Sequence, residues 1–226
     1  MWRSWRTASV ALIAAAAAAA CGGRPYTDYE PSAKVTGAGP RPEVSFTAGL
    51  TERSGSVQIT YRIVNTGPVP LVIYDGAPSE HGAATSTLVP EAYVTARENG
   101  TVEIARRTFP VPPGVHPVAL AVLRGTILPP GKTASGSFAV ALPLTPLRPY
   151  MGSAEIRLPD RVERLVFCLG VVRQDALSER LRDGLPQPGG SAGPSRDSPL
   201  FPHPSPQYLF CSSEHRLTAA AVSTGE

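Results

Sequence analysis

The chain has 226 residues, of which 25 are Pro and 21 are Gly, and only 17% are charged. This composition argues against a helical bundle and favours short elements joined by turns. The formal net charge is +3, and Arg3 and Arg6 belong to a stretch before residue 21 that holds no acidic residue. The remainder is close to neutral, which excludes the basic stripe of a nucleic-acid-binding protein.

Residues 1–20 have the composition of a secretory signal peptide. A basic start, MWRSWRT, is followed by the uncharged apolar segment ASVALIAAAAAAA, with small residues at its end. The apolar segment is shorter than the roughly 20 residues that a membrane-spanning helix needs. Cleavage of an ordinary signal after Ala20, which would leave Cys21 unmodified, is the alternative.

The sequence Ala18-Ala19-Ala20-Cys21 resembles the lipobox of bacterial lipoproteins. The resemblance implies that the Cys21 thiol carries a diacylglyceryl group, that the signal is cut before Cys21, and that the new amine is acylated. The family more often has Leu at the first of these positions, where this chain has Ala18. Gly22 is similar to the residue at that place in lipoproteins sorted to the outer membrane. We therefore expect a protein anchored in the cell envelope, at the outer membrane and facing the periplasm.

Two further cysteines, Cys168 and Cys211, lie in the apolar strand-like runs LVFCLGVV and QYLFCSS. In an oxidising compartment, an even pair predicts a disulfide. Two unpaired buried thiols are the alternative. No C-x-x-C or H-x-x-x-H motif accompanies the pair, so zinc is disfavoured, and we expect neither a metal nor another cofactor.

The mature chain is predicted to begin with a flexible, lipid-anchored stalk at 21–42, rich in Gly and Pro. Apolar residues then alternate in EVSFTAGL and SVQITYRIVN, as in strands with one face buried. Further strands are predicted at PLVIYD, EAYVTAR and TVEIARRTF, and Asn99-Gly100 between the last two suits a type I′ hairpin turn. The domain is expected to span 43–218, with a disordered tail at 219–226.

The second half of the domain continues this strand pattern. Strands are expected in PVALAVLRGTIL, SGSFAVALPL, AEIRLPD, RVERLVFCLGVV and QYLFCSSEHRL, and the run beginning at Leu165 is apolar on both faces, as in a central strand. The fold expected is all-β: an antiparallel, immunoglobulin-like β-sandwich of about seven to nine strands. The stretches YRIVNTGPVPLVI and LPPGKTASGSFAV resemble bacterial immunoglobulin-like envelope domains. That resemblance implies a spacer, adhesion or assembly module.

Residues 174–206 interrupt the strand pattern. QDALSERLRDG predicts one short helix, with Asp175 as N-cap and Gly184 as its stop. The Pro- and Gly-rich part at 186–206 is expected to contribute little to the core. Phe201 and Tyr208 flank its PHPSP sequence and are predicted to be exposed aromatic residues that dock a protein partner. A disordered insertion is the alternative.

No catalytic residues are predicted. The loop that holds Asp75, Ser79, Glu80 and His81 contains the residue types of a hydrolase site, but a G-x-S-x-G motif does not occur and a solvated loop is favoured. We expect a non-enzymatic envelope lipoprotein that acts as an interaction, assembly or structural module. The alternatives are a hydrolase built around Asp75–His81 and a carrier of a small apolar ligand between the sheets.

Overall fold

The computed structural model describes residues 39–78, 91–151, 156–183 and 199–222. The proposed signal peptide and nearly all of the stalk lie outside these ranges. The described strands, in chain order, are β1 (Val44–Arg53), β2 (Ser56–Asn65), β3 (Leu71–Ile73), β4 (Tyr93–Ala96), β5 (Val102–Arg106), β6 (Val122–Arg124), β7 (Thr126–Leu128), β8 (Thr133–Ala141), β9 (Arg161–Arg173), β10 (Leu200–Pro202), β11 (Tyr208–Cys211) and β12 (His215–Val222). The protein is therefore mostly β, as its sequence predicts.

The smaller of the two main sheets has three antiparallel strands in the order β1-β2-β8. Its central strand, β2, has the predicted alternation. Ile59 and Ile63 are fully buried, whereas Thr60 and Arg62 are exposed. Because side chains alternate along a strand, one face of this sheet lies on the core and the other faces water.

The larger sheet has seven strands, in the order β4-β5-β9-β3-β7, with β11 and β12 also paired to β9. Its central strand, β9, is 13 residues long and buried from Leu165 to Val172, as its continuous apolar run predicts. The pairing of β5 with β9 is parallel, and the other pairs within this sheet are antiparallel.

A core of aromatic side chains joins the two sheets face to face. Phe167 of β9 lies at its centre, and its ring centroid is 5.4 Å from that of Tyr61 and 5.6 Å from that of Phe138. The rings of Phe46 and Phe210 also contact each other, with centroids 6.4 Å apart. Aromatic rings thus make up the centre of this inter-sheet core.

The second face of the large sheet carries its own core, covered by a two-stranded antiparallel ribbon of β6 and β10. Leu123 and Phe201 lie opposite each other in this ribbon, and both are fully buried. The expectation of an exposed Phe201 is therefore wrong. The segment 199–206 packs on the domain because its apolar residues cover a sheet face that would otherwise meet water; the rest of the Pro-rich insertion, up to residue 198, lies outside the described residues.

The single short helix predicted from QDALSERLRDG does not form as expected. A 3-10 turn at Gln174–Ala176 and a separate helical turn at Glu179–Asp183 occupy the segment. Leu177 between them has extended dihedrals and is buried. Asp175 does not cap a helix, because its carboxylate pairs with the guanidinium of Arg173.

Two further details differ from the sequence predictions. The β4–β5 turn is not type I′, which needs positive φ at both central residues. Among the described residues of this turn, only Gly100 has a positive φ, of 76°. In addition, β12 continues through Val222, so residues 219–222 belong to a strand and not to a disordered tail.

Within the described ranges, no helix is long and apolar enough to cross a membrane.

Candidate functional site

A cavity of about 340 Å³ lies beside the second core of the large sheet, from which Val166 and Cys211 line it. The β4–β5 turn, the middle of β9 and the segment after β11 surround it. Its lining combines charged, polar and apolar side chains: Arg97, Glu98, Asn99, Val166, Cys211, Ser212 and Glu214. A concave site with a few polar groups is the usual form of a small-ligand pocket.

A cross-strand cysteine pair lies beside this cavity. Cys168 of β9 and Cys211 of β11 are directly opposite in the antiparallel register, and their Cα atoms are 4.1 Å apart. Their sulfur atoms are at disulfide distance, which is compatible with the predicted pairing. Both residues are buried, so the bond crosslinks the central strand to its neighbour inside the second core.

Arg97 lies over this sulfur pair. Its Nη2 donates to Sγ of Cys168 at 2.8 Å and lies 3.5 Å from Sγ of Cys211. Its Nε donates to Oε2 of Glu103 at 3.0 Å. The guanidinium is therefore fixed at two points, and it contacts one sulfur more closely than the other.

Glu103 is a buried carboxylate between two arginines. Its side chain is 1% exposed, and its second oxygen accepts a hydrogen bond from Nε of Arg107 at 2.7 Å. Burial acts to raise the pKa of Glu103, but the charges and hydrogen bonds of Arg107 and Arg97 outweigh it and hold that pKa below its ordinary value. The carboxylate is thus ionised and compensated.

The mouth of the cavity is held by hydrogen bonds between its walls. Glu214 accepts a hydrogen bond from the Thr101 hydroxyl and lies 3.6 Å from Arg164. Arg164 also donates to the backbone carbonyl of Asn99. These contacts connect the β4–β5 turn to the segment after β11 and give the opening a defined shape.

A second polar cluster, around His203, lies beneath the ribbon. His203 is fully buried, and its Nδ1 accepts a hydrogen bond from the backbone N–H of Phe109 at 2.8 Å. The proton of the neutral ring is therefore on Nε2, which lies 3.3 Å from the hydroxyl of Tyr93. Burial and the charge of Arg107 lower the pKa of His203 to about 4, so the ring is neutral at pH 7. The His203 ring therefore joins the loop after β10 to Phe109, which follows β5.

The proposed hydrolase cluster is described only at Asp75. Asp75 is 2% exposed, so the expectation that it lies in a solvated loop is wrong. Its backbone carbonyl accepts a hydrogen bond from Nη1 of Arg106 at 2.6 Å, and burial raises the pKa of its carboxyl group to about 6. Ser79, Glu80 and His81 lie outside the described residues, so the hydrolase hypothesis stays untested at these three positions.

Tyr208, the second predicted docking residue, is half-buried against the inter-sheet core. Its hydroxyl donates to the backbone carbonyl of Gly39 at 2.7 Å. In the part of the chain that the structure describes, no group of three or more His, Cys, Asp or Glu side chains is arranged to hold a metal ion.

Sequence reasoning missed Arg97, Glu103, Arg107 and His203. Glu103 and Arg107 belong to TVEIARRTF, whose alternation can equally be read as a solvated outer face. Both side chains are buried by long-range packing, and a two-residue period cannot reveal that. Comparison with known protein families, with curated proteins and with solved structures finds no match to this chain.

Proposed function

We propose that this chain is a non-enzymatic interaction module of the cell envelope, tethered to a membrane through Cys21, and that its two packed sheets form an immunoglobulin-like sandwich. One observation carries the proposal. The large hydrophobic side chains that are exposed within the described ranges are Val115, Val118, Leu120 and Leu200. All four lie in the ribbon or in the loop that leads to it. Exposed apolar side chains confined to one ribbon and the loop that leads to it favour an interaction surface.

The ribbon has two different faces. Leu123 and Phe201 point inward and are buried, whereas Val122 and Pro202, the next opposed pair, are partly exposed. Leu200 belongs to this outer face by the alternation of side chains along a strand. We call Val115, Val118, Leu120 and Leu200 the ribbon surface.

Specific hydrogen bonds hold the start of the ribbon to the domain at Ala121, next to Leu120 of the ribbon surface. The Tyr150 hydroxyl accepts from the backbone N–H of Ala121 and donates to the carbonyl of His203. The N–H of His203 in turn donates to the carbonyl of Ala121 at 2.8 Å. Fixing Ala121 in this way reduces the ordering that binding requires at that end of the surface, which favours affinity.

The chemistry of this surface fits a protein partner better than a lipid surface. Residues 109–123 and 199–213 contain no Asp, Glu, Lys or Arg, and the one charged residue of the ribbon strands is Arg124, which lies opposite Leu200 and is partly exposed. The core of a protein–protein interface is depleted of charge, whereas segments that lie on membranes usually carry Lys and Arg for the head groups. We therefore assign the ribbon surface to an apolar patch on another envelope protein.

Introducing charge into this surface is expected to abolish binding without affecting the fold. In the full-length protein, Val118→Asp combined with Leu120→Asp should reduce partner recovery from native envelopes at least tenfold, because two carboxylates would be buried against apolar groups. The measurement is quantitative mass spectrometry of proteins that co-purify with each variant.

Ala139→Asp is the matched control, since Ala139 is exposed on the outer face of the small sheet. It should retain the same partner at the wild-type level, and all three proteins should have equal melting temperatures. Equal recovery with the doubly substituted protein would refute the ribbon surface as the docking site. Loss with both variants would place the contact elsewhere.

The anchor is tested by Cys21→Ser, which removes the thiol that the lipid would occupy. We expect the variant either to remain uncut or to move from the membrane fraction to the soluble periplasmic fraction. Fractionation with immunodetection measures this. Gly22→Asp is the control, and in a cell with two membranes it should stay membrane-bound but shift to the inner membrane. A wild-type protein found in the soluble fraction would contradict the anchor.

A further inference from the structure

The contact between Arg97 and the cysteine pair is asymmetric. Nη2 lies 2.8 Å from Sγ of Cys168 but 3.5 Å from Sγ of Cys211. A guanidinium beside a sulfur atom stabilises the thiolate form and so makes that sulfur the better leaving group. If the bond is attacked, this geometry favours departure of Cys168.

The cavity gives access to Cys211, the other cysteine of the pair. Cys211 belongs to its lining, together with Val166 and Ser212. Its volume of about 340 Å³ is at the lower end of the range for small-molecule sites. Because Cys211 is only 1% exposed, its approach is restricted to a small thiol inside this cavity, and a folded protein cannot enter.

We propose that Cys168–Cys211 is a site of thiol–disulfide exchange, in which a small-molecule thiolate attacks Sγ of Cys211 and Cys168 departs as a thiolate held by Arg97. The incoming thiol first loses its proton to water. A new S–S bond forms between it and Cys211 while the original bond breaks. The electron pair of that bond goes to Cys168, so the step is an exchange with no net oxidation.

The charges around the sulfur pair favour this direction. Arg97 and Arg107 share the single buried carboxylate of Glu103, so the cluster carries one excess positive charge. At the mouth of the cavity, the Glu214 carboxylate is paired with Arg164. The exposed carboxylate of Glu98 also lines the cavity, so an anionic thiolate must pass it before it meets the excess positive charge of Arg97 and Arg107 at the inner end.

The first test uses the purified full-length wild-type protein and reduced glutathione as the thiol. Adducts are trapped by acid and located by peptide mass spectrometry. We expect glutathione on Cys211 and a free thiol on Cys168. The rate should rise in proportion to thiol concentration without reaching a limit. An adduct on Cys168, or a rate that levels off at the unfolding rate, would overturn the proposal.

A pair of variants isolates the guanidinium. Glu103→Gln removes the buried carboxylate and keeps Arg97, whereas Glu103→Gln combined with Arg97→Met removes both charges. The first should react at least as fast as the wild type. The double variant should react about tenfold more slowly than Glu103→Gln alone, because the leaving thiolate of Cys168 no longer has the Arg97 guanidinium beside it. Equal rates in the two folded variants would refute the role of Arg97.

The wild-type measurement decides the proposal even if neither variant folds, since it needs no substitution. Arg97→Lys offers a third comparison that keeps a positive charge beside Cys168. Its rate should lie closer to that of the wild type than to that of the double variant. A rate equal to that of the double variant would contradict stabilisation by charge.

Discussion

Replacing Phe167 with alanine is expected to lower the free energy of unfolding by about 4 kcal/mol, because it empties the centre of the core between the two sheets. Phe167 is fully buried, and its ring contacts those of Tyr61 and Phe138 from the opposite sheet. The loss combines the transfer free energy of the ring with the cost of the cavity that remains. Denaturant titration followed by circular dichroism measures it.

Val118→Ala is the control for this measurement, since the Val118 side chain is fully exposed. Its effect should stay within about 0.5 kcal/mol, as for most surface substitutions. A loss of less than about 1 kcal/mol for Phe167→Ala would show that this ring does not hold the sheets together.

Glu103→Gln is expected to destabilise the protein by about 3 kcal/mol, because it leaves two buried guanidinium groups with no carboxylate between them. Arg97 and Arg107 contact separate oxygens of Glu103, at 3.0 and 2.7 Å. Glu163→Gln is the matched control, since its carboxylate is 64% exposed and 3.8 Å from Arg161. The control should change stability by less than about 1 kcal/mol.

The pH dependence of stability provides an independent check on the same residue. The folded-state pKa of Glu103 lies below its ordinary value of 4.5. Its contribution is therefore complete above that value and is lost as the pH falls through the folded-state pKa. Unfolding titrations should show a smaller loss of stability in acid for Glu103→Gln than for the wild type. Identical acid limbs would contradict an ionised, paired Glu103.

The parts of the fold that depend on local patterns were predictable. The alternation in SVQITYRIVN predicts β2, and the structure has that strand over Ser56–Asn65. The unbroken apolar run from Leu165 predicts a central strand, which β9 is. In both cases the spacing of apolar residues within one strand indicates which of its faces are buried, and the strand's partners need not be known.

The parts of the fold that depend on contacts between distant segments could not be predicted. Phe201 stands in a Pro-rich stretch that has no period, yet pairing with β6 places it in the second core. Asp75 lies in a sequence with the composition of a loop, but the apolar elements around it bury its side chain. The break at Leu177 arises because that side chain is drawn into the core, which overrides helical propensity.

The candidate site was predictable only at its cysteines. An even pair in an exported chain predicts Cys168 with Cys211, and this depends on counting alone. The position of Arg97 over the sulfur atoms depends on the β4–β5 turn and on the pairing of β5 with β9, at a sequence separation of 71 residues from Cys168. No local pattern encodes such a contact.

Photo-crosslinking in intact cells tests the central claim most directly. A photoreactive amino acid at position 118 of the full-length protein should give one discrete adduct with another envelope protein, and the same residue at position 139 should not. Adducts with lipid alone, or equal yields from both positions, would contradict an envelope interaction module that binds through its ribbon surface.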